Sequence, residues 1–145
     1  MEHTFLLRAG LWRVEGEFLD GIGNLSGVEG TAEVRHYPDK WIYEGVLRTL
    51  TPTPKETRTL YEVYPLASGA FATHWTSSNP ALGTLRGRFL VLGDAILSSY
   101  ESATGRYRGQ DTLLLRDERR YSARGALFDG ARLLSAWSVE LLRTG

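Results

Sequence analysis

The chain has 145 residues, 42% hydrophobic and 23% charged, a length and balance that fit a single folded domain over 1–145 and exclude a disordered chain. Seventeen basic and 17 acidic residues cancel, so no global field draws in nucleic acid or an anionic membrane. There is no cysteine, which excludes disulfides, thiolate catalysis and cysteine-bound zinc.

The opening stretch carries only a short apolar cluster, Phe5 to Leu7, far below a secretory h-region. No run approaches the roughly 18 apolar residues of a membrane span. A cytoplasmic protein with no membrane partner is the expectation.

From Gly10 onward, apolar and polar residues swap at nearly every position in about ten runs, each closed by a turn signal. The first predicted strand, Gly10 to Asp20, sets Trp12, Val14, Gly16 and Phe18 against Arg13, Glu15 and Glu17. The stretch Gly21 to Gly27 looks like a phosphate loop, but no Lys-Ser/Thr follows and a strand comes next; it reads as a mobile lid. The second strand, Val28 to Tyr37, turns Val28, Gly30, Ala32 and Val34 inward and leaves His36 on the same face.

After a tight turn at Pro38-Asp39, the third strand places Trp41, Tyr43, Gly45 and Leu47 inside and sends Glu44 and Arg48 out. The fourth, Glu56 to Tyr64, offers Thr57, Thr59, Tyr61 and Val63 to the interior. The fifth, Gly69 to Ser77, has no clear face, because Phe71 and Trp75 compete with Ala70, Ala72 and His74. The sixth turns Leu85, Gly87, Phe89 and Val91 inward, and the seventh, Ala95 to Glu101, is again ambiguous.

The eighth, Arg106 to Arg116, aligns Tyr107, Gly109, Asp111, Leu113 and Leu115. The ninth aligns Tyr121, Ala123, Gly125 and Leu127. The tenth aligns Leu133, Ser135, Trp137, Val139 and Leu141 after an Asp129-Gly130 hairpin turn. Arg106, Arg108, Arg116, Arg119, Arg120 and Arg124 crowd one stretch but mostly oppose the apolar parity, which reads as a solvated outer face and not a nucleic-acid patch.

Ten strands in meander order bring the first and last side by side, so the expected fold is an all-β, closed, antiparallel up-and-down barrel. Its turns fall at two ends. Those near Pro38-Asp39, Leu66 to Ser68, Gly93-Asp94 and Asp117-Glu118 are mostly tight. Those at Gly21 to Gly27, Thr51 to Lys55, Ser78 to Gly83, Ser102 to Gly105 and Asp129-Gly130 are mostly longer and mark the expected mouth.

Gly10-Leu11-Trp12, preceded by the apolar cap Phe5 to Leu7, resembles the Gly-X-Trp opening of the lipocalin and calycin superfamily. The resemblance implies a basic residue from the last strand packed across this Trp at the closed end, and Arg143 stands at the matching place. Ten strands look more like the intracellular fatty-acid-binding and nitrobindin-like branches than the secreted lipocalins. The last strand has no Arg-X-Tyr pair and the first connection is too short for a helical lid, so the resemblance does not carry a fatty-acid ligand with it.

The inward list is aromatic and polar: Trp41, Tyr43, Tyr61, Tyr107, Tyr121 and Trp137, with His36, Asp111, Thr57, Thr59 and Ser135. Ring faces with hydroxyl tips suit a flat, partly polar ligand; alternatively the tyrosines reach the rim or bond one another across a filled barrel. The inward glycines either leave space or mark barrel bends. Asp111 would orient a ligand amine or hydroxyl, or act as a base, unless it forms a structural ion pair or a bulge turns it out of the inward parity.

Three histidines without carboxylates at ligand spacing argue against a metal, and no cofactor is expected apart from a haem reading that rests on His74 alone. Three functions follow. The first is a binding protein for a small, flat, largely apolar molecule held by Tyr43, Tyr61, Tyr107, Trp137, Trp41, Tyr121 and Asp111. The second is a cofactor-free lyase, isomerase or cyclase in which Asp111 or His36 moves a proton. The third is a filled barrel with a structural or interaction role.

Overall fold

The computed structural model describes residues 2–145. Ten strands follow one another: β1 (Gly10–Asp20), β2 (Leu25–His36), β3 (Trp41–Thr49), β4 (Glu56–Val63), β5 (Ala72–Asn79), β6 (Gly83–Leu92), β7 (Ala95–Ser102), β8 (Tyr107–Asp117), β9 (Arg120–Asp129) and β10 (Arg132–Arg143). Each pairs antiparallel with the next, and β1 pairs with β10 from Trp12↔Arg143 to Asp20↔Ser135, closing the barrel. Among the described residues no helix is long and apolar enough to cross a membrane.

Alternation sends Trp12, Val14, Val28, Ala32, Val34, Leu85, Phe89, Leu113 and Leu141 into the core, because a period of two places every second side chain on one face. The outer face carries the charge. All six clustered arginines find partners within the protein: Arg106 on Asp129, Arg108 near Glu101, Arg116 on Ser122, Arg119 on the Arg143 carbonyl, and Arg120 and Arg124 on Glu140.

The β5 face that sequence leaves open is settled: Thr73, Trp75 and Ser77 are buried and His74 is exposed. β7 turns Ile96, Ser98 and Ser102 inward, with Tyr100 on the same side. The seam between β4 and β5 is the short one, pairing only Tyr61↔Ser77, Glu62↔Thr76 and Val63↔Trp75.

Two loop expectations are corrected. β2 starts at Leu25, so the supposed lid shrinks to a turn clamped by Asp20, whose Oδ1 accepts from the amides of Ile22 and Asn24 and whose Oδ2 accepts from Asn24 Nδ2. Such a turn is closed by its own side chain. At the other end, the β4–β5 connection runs from Tyr64 to Phe71 and is not tight.

What closes that end is the N-terminal segment. Thr4, Phe5 and Leu6 are buried there, and Leu6 holds a φ of 69°, a strained value for a branched side chain that lets Phe5 enter the barrel. Phe5 meets Trp12, Tyr43 and Tyr121 edge-on, with ring centroids 5.5, 5.6 and 5.8 Å away. Thr4 Oγ1 donates to the Glu118 carbonyl at 2.8 Å.

Candidate functional site

Above this plug lies a cavity of about 530 Å³, so the interior is not filled. Phe5, Val14 and Leu141 form its floor, Tyr43, Tyr61, Phe89, Ser98, Tyr100, Asp111 and Trp137 line its walls, and Phe18, Leu82, Leu127 and Leu134 line its mouth with Asp20, Lys55 and Arg58. Leu134 reaches the lining because the β9–β10 register slips between Leu133 and Ser135, a bulge that re-aims one side chain.

The wall is built from aromatic rings seated on glycines. Trp75 pairs across strands with Gly87, Tyr100 with Gly109, and Trp137 with Gly125. A Cβ at any of these three glycines would collide with the ring it faces. Gly16 and Gly30 differ, since a Cβ there would strike the backbone of Ser138 and Val46; they mark where neighbouring strands press together. The inward glycines thus make room for a ring at three positions and for a neighbouring strand at two.

Tyr61 stacks on Trp75 at 3.8 Å between centroids with planes 6° apart, and Tyr43 and Tyr100 flank this pair at 5.3 Å from Tyr61 and 5.4 Å from Trp75. Burial pushes all three phenols above their ordinary pKa, and the charge of Asp111 pushes in the same direction. They remain neutral hydrogen-bond donors at physiological pH. None of the three hydroxyls has a hydrogen-bond partner among the described residues, and all three residues line the cavity.

Asp111 sits opposite Gly125 on β9, which has no side chain to fill the space its Oδ1 occupies. The Trp137 indole N–H donates to that Oδ1 at 2.6 Å. Burial raises the carboxyl to about 7, and the Trp137 bond only partly offsets this. No basic side chain forms an ion pair with it among the described residues, so the expected alternative of a structural ion pair does not apply.

Of the residues expected at the site, Tyr43, Tyr61, Asp111 and Trp137 line the cavity together, with Thr57, Thr59 and Ser135 of the same inward list. The others lie elsewhere. His36 and Trp41 stack on one another beyond the plug, 4.1 Å apart, and His36 Nε2–H donates to the Leu6 carbonyl at 2.7 Å; this removes His36 from any chemistry inside.

Tyr121 is fully buried in the plug, where its hydroxyl accepts from the amides of Thr4 (3.0 Å) and Phe5 (3.2 Å). Tyr107 stands at the start of β8 under the Arg106 guanidinium, 5.0 Å from its ring centre, outside the lining. His74 points away from the cavity. Tyr100, Ser98 and Leu134 are lining residues that strand parity alone did not identify.

No family model matches the chain, and no curated protein matches it in sequence. In fold the barrel is similar to a phycobiliprotein lyase. That structure, an S-type lyase from Guillardia theta, superposes with a TM-score of 0.68 over 96% of this chain and 89% of that one, at 9% identity. Identity this low shows a shared fold and nothing about the site. A de novo designed fluorescence-activating β-barrel matches with a TM-score of 0.48 and 17% identity over 99% of this chain and 100% of that one.

Proposed function

We propose that the protein binds a small, flat, largely apolar molecule inside the barrel. The observation that carries this reading is the cavity of about 530 Å³, whose aromatic walls present three hydroxyls without a partner among the described residues and one carboxylate held by the Trp137 N–H alone. Apolar lining with a few convergent polar groups is the ordinary composition of a ligand pocket. A core built only for stability would have used aliphatic side chains, since each unpaired polar group taken from water costs about 1–3 kcal/mol.

Kinship with the calycin superfamily belongs to this reading too. Its support is the Gly10-Leu11-Trp12 opening together with the Arg143 guanidinium 5.7 Å from the Trp12 ring centre.

A second reading, a cofactor-free lyase, isomerase or cyclase, has one observation in its favour: burial lifts Asp111 to about 7, where a carboxyl group can both take and return a proton. Asp111 is hydrogen-bonded to Trp137, not to a tyrosine, and this makes binding the stronger of the two.

Native mass spectrometry of the full chain, purified gently from its own source, tests the proposal. A discrete added mass that is lost on denaturation is expected. A clean apo mass, together with no tryptophan quenching by planar aromatic compounds, overturns it.

A further inference from the structure

We propose that the ligand carries a cationic nitrogen, docked on the Asp111 carboxylate among the rings of Tyr43, Tyr61 and Tyr100. This rests on the binding reading above and narrows its ligand class.

The argument starts from an imbalance of charge. Asp111 is a carboxylate on the wall of an apolar cavity, with one oxygen held by Trp137 at 2.6 Å and, among the described residues, no cation paired with it. A charge in such surroundings is costly unless something neutralises it. The basic side chains that line the cavity, Lys55 and Arg58, belong to the mouth at the start of β4, and neither pairs with Asp111.

The Trp137 bond favours the ionised form, since a carboxylate oxygen accepts an N–H more strongly than a neutral acid does. The missing partner is therefore a positive group that arrives with the ligand. Electron-rich rings line the same cavity: Tyr61, stacked on Trp75, with Tyr43 and Tyr100 on either side. Aromatic faces around a carboxylate attract a cation through the ring quadrupole as well as through the formal charge.

The opposite arrangement is a protonated Asp111 that joins the phenols in donating to a ligand carbonyl or oxyanion. The two predict opposite pH dependence. Among the groups around the cavity, burial holds the three tyrosines neutral well above pH 7, the Asn24 amide and its turn hold Asp20 below the ordinary carboxylate value, and Lys55 and Arg58 stand at the mouth. Asp111 is the group that changes.

The test uses three compounds on one flat body: 9-(aminomethyl)anthracene, which is cationic, 9-anthracenemethanol, which is neutral, and 9-anthracenecarboxylate, which is anionic. Affinity is read by anthracene fluorescence and tryptophan quenching on the full chain. At about pH 8 the amine should bind at least ~10-fold more tightly than the alcohol, and the preference should shrink severalfold at about pH 5.5 as Asp111 takes up a proton.

Asp111→Asn keeps an oxygen for the Trp137 N–H and should abolish the preference for the amine over the alcohol. If the alcohol or carboxylate binds as well as the amine, or binds better as pH falls, the cation proposal is overturned and the binding reading stands. If none of the three enters wild-type protein, the binding reading itself has failed.

Discussion

Arg143, on the last strand, stands 5.7 Å from the ring centre of Trp12 on the first, and the same guanidinium donates to the carbonyls of Ala9 (3.1 Å) and Thr4 (3.3 Å). One side chain thus joins the closing strand pair, the core indole and the N-terminal plug. A cation over an indole contributes about 0.5–2 kcal/mol, and hydrogen bonds from a charged donor add about 1.5–3 kcal/mol each where they are sheltered from water.

Arg143→Met keeps much of the apolar stem but removes all three links. We expect a loss of roughly 2–4 kcal/mol, seen as a lower urea midpoint with an unchanged slope. Arg143→Lys should recover part of the ring contact without the paired carbonyl bonds, because an ammonium lacks the planar fork of the guanidinium. Equal stability of the Met variant and wild type would show that the barrel closes without this grip.

Gly125→Ala tests the seating of the site. A Cβ at Gly125 would occupy the space of Asp111 Oδ1 and the Trp137 ring. The methyl must displace one of them, and overpacking of this kind costs about 1–3 kcal/mol. Gly27→Ala is the control, since its Cβ would meet first the flexible Leu50 side chain at 3.3 Å. We expect the Gly125 variant to lose stability and to bind planar aromatics more weakly, with the Gly27 variant close to wild type in both.

Strand faces were legible where charge opposes an apolar core, as on β6, where Leu85, Gly87 and Phe89 alternate with Arg86 and Arg88. On β7, Ser98 and Ser102 face in while Leu97 faces out, so hydropathy does not mark a side. Another signal was present: counting outward from the Gly93-Asp94 turn sets Tyr100 opposite Gly87, and a ring against a glycine is a recurring way to fill a barrel wall.

Parity also gives a side chain's face but not its height along the barrel. Trp41, Tyr107 and Tyr121 have inward parity, yet the cavity lies between them. What separates Trp41 and Tyr121 from it is the plug of residues before β1, which has no periodicity to read. Asp111 was legible as the odd carboxylate on an apolar face, whereas its bond to Trp137 depends on the β8–β9–β10 registers, and the β9–β10 register contains a bulge.

Tyr121→Phe tests the plug. The phenolic oxygen accepts from two amides, and its O–H is then free to donate to His3 Nδ1 at 2.8 Å. His3 Nε2 faces the Gly93 carbonyl at 2.8 Å; a carbonyl only accepts, so that nitrogen carries the proton and Nδ1 is the acceptor. Removing the hydroxyl orphans two buried amides at about 1–3 kcal/mol each. Hydrogen exchange at Thr4 and Phe5 should accelerate well beyond that of the barrel strands, and unchanged protection there would show that the aromatic contacts of Phe5 hold the plug alone.

The titration of Asp111 gives a pH dependence with a definite sign. Its folded-state pKa of about 7 lies above the ordinary carboxylate value it has when unfolded, so between roughly pH 4 and 7 the folded protein binds the extra proton. Stability from this group is therefore greatest at the acidic end of that window and falls as pH rises through 7, opposite to a salt-bridged carboxylate. Asp111→Asn keeps an acceptor for Trp137 and carries no charge to bury. Thermal melts of both proteins at about pH 5.5 and 8 should show the variant gaining on wild type by several degrees at the higher pH. A difference that stays constant across the two conditions would mean that Asp111 is ionised throughout and solvated in the cavity. If the cationic anthracene stabilises wild type at the higher pH more than it stabilises the Asn variant, the cost of that buried charge is what the ligand removes.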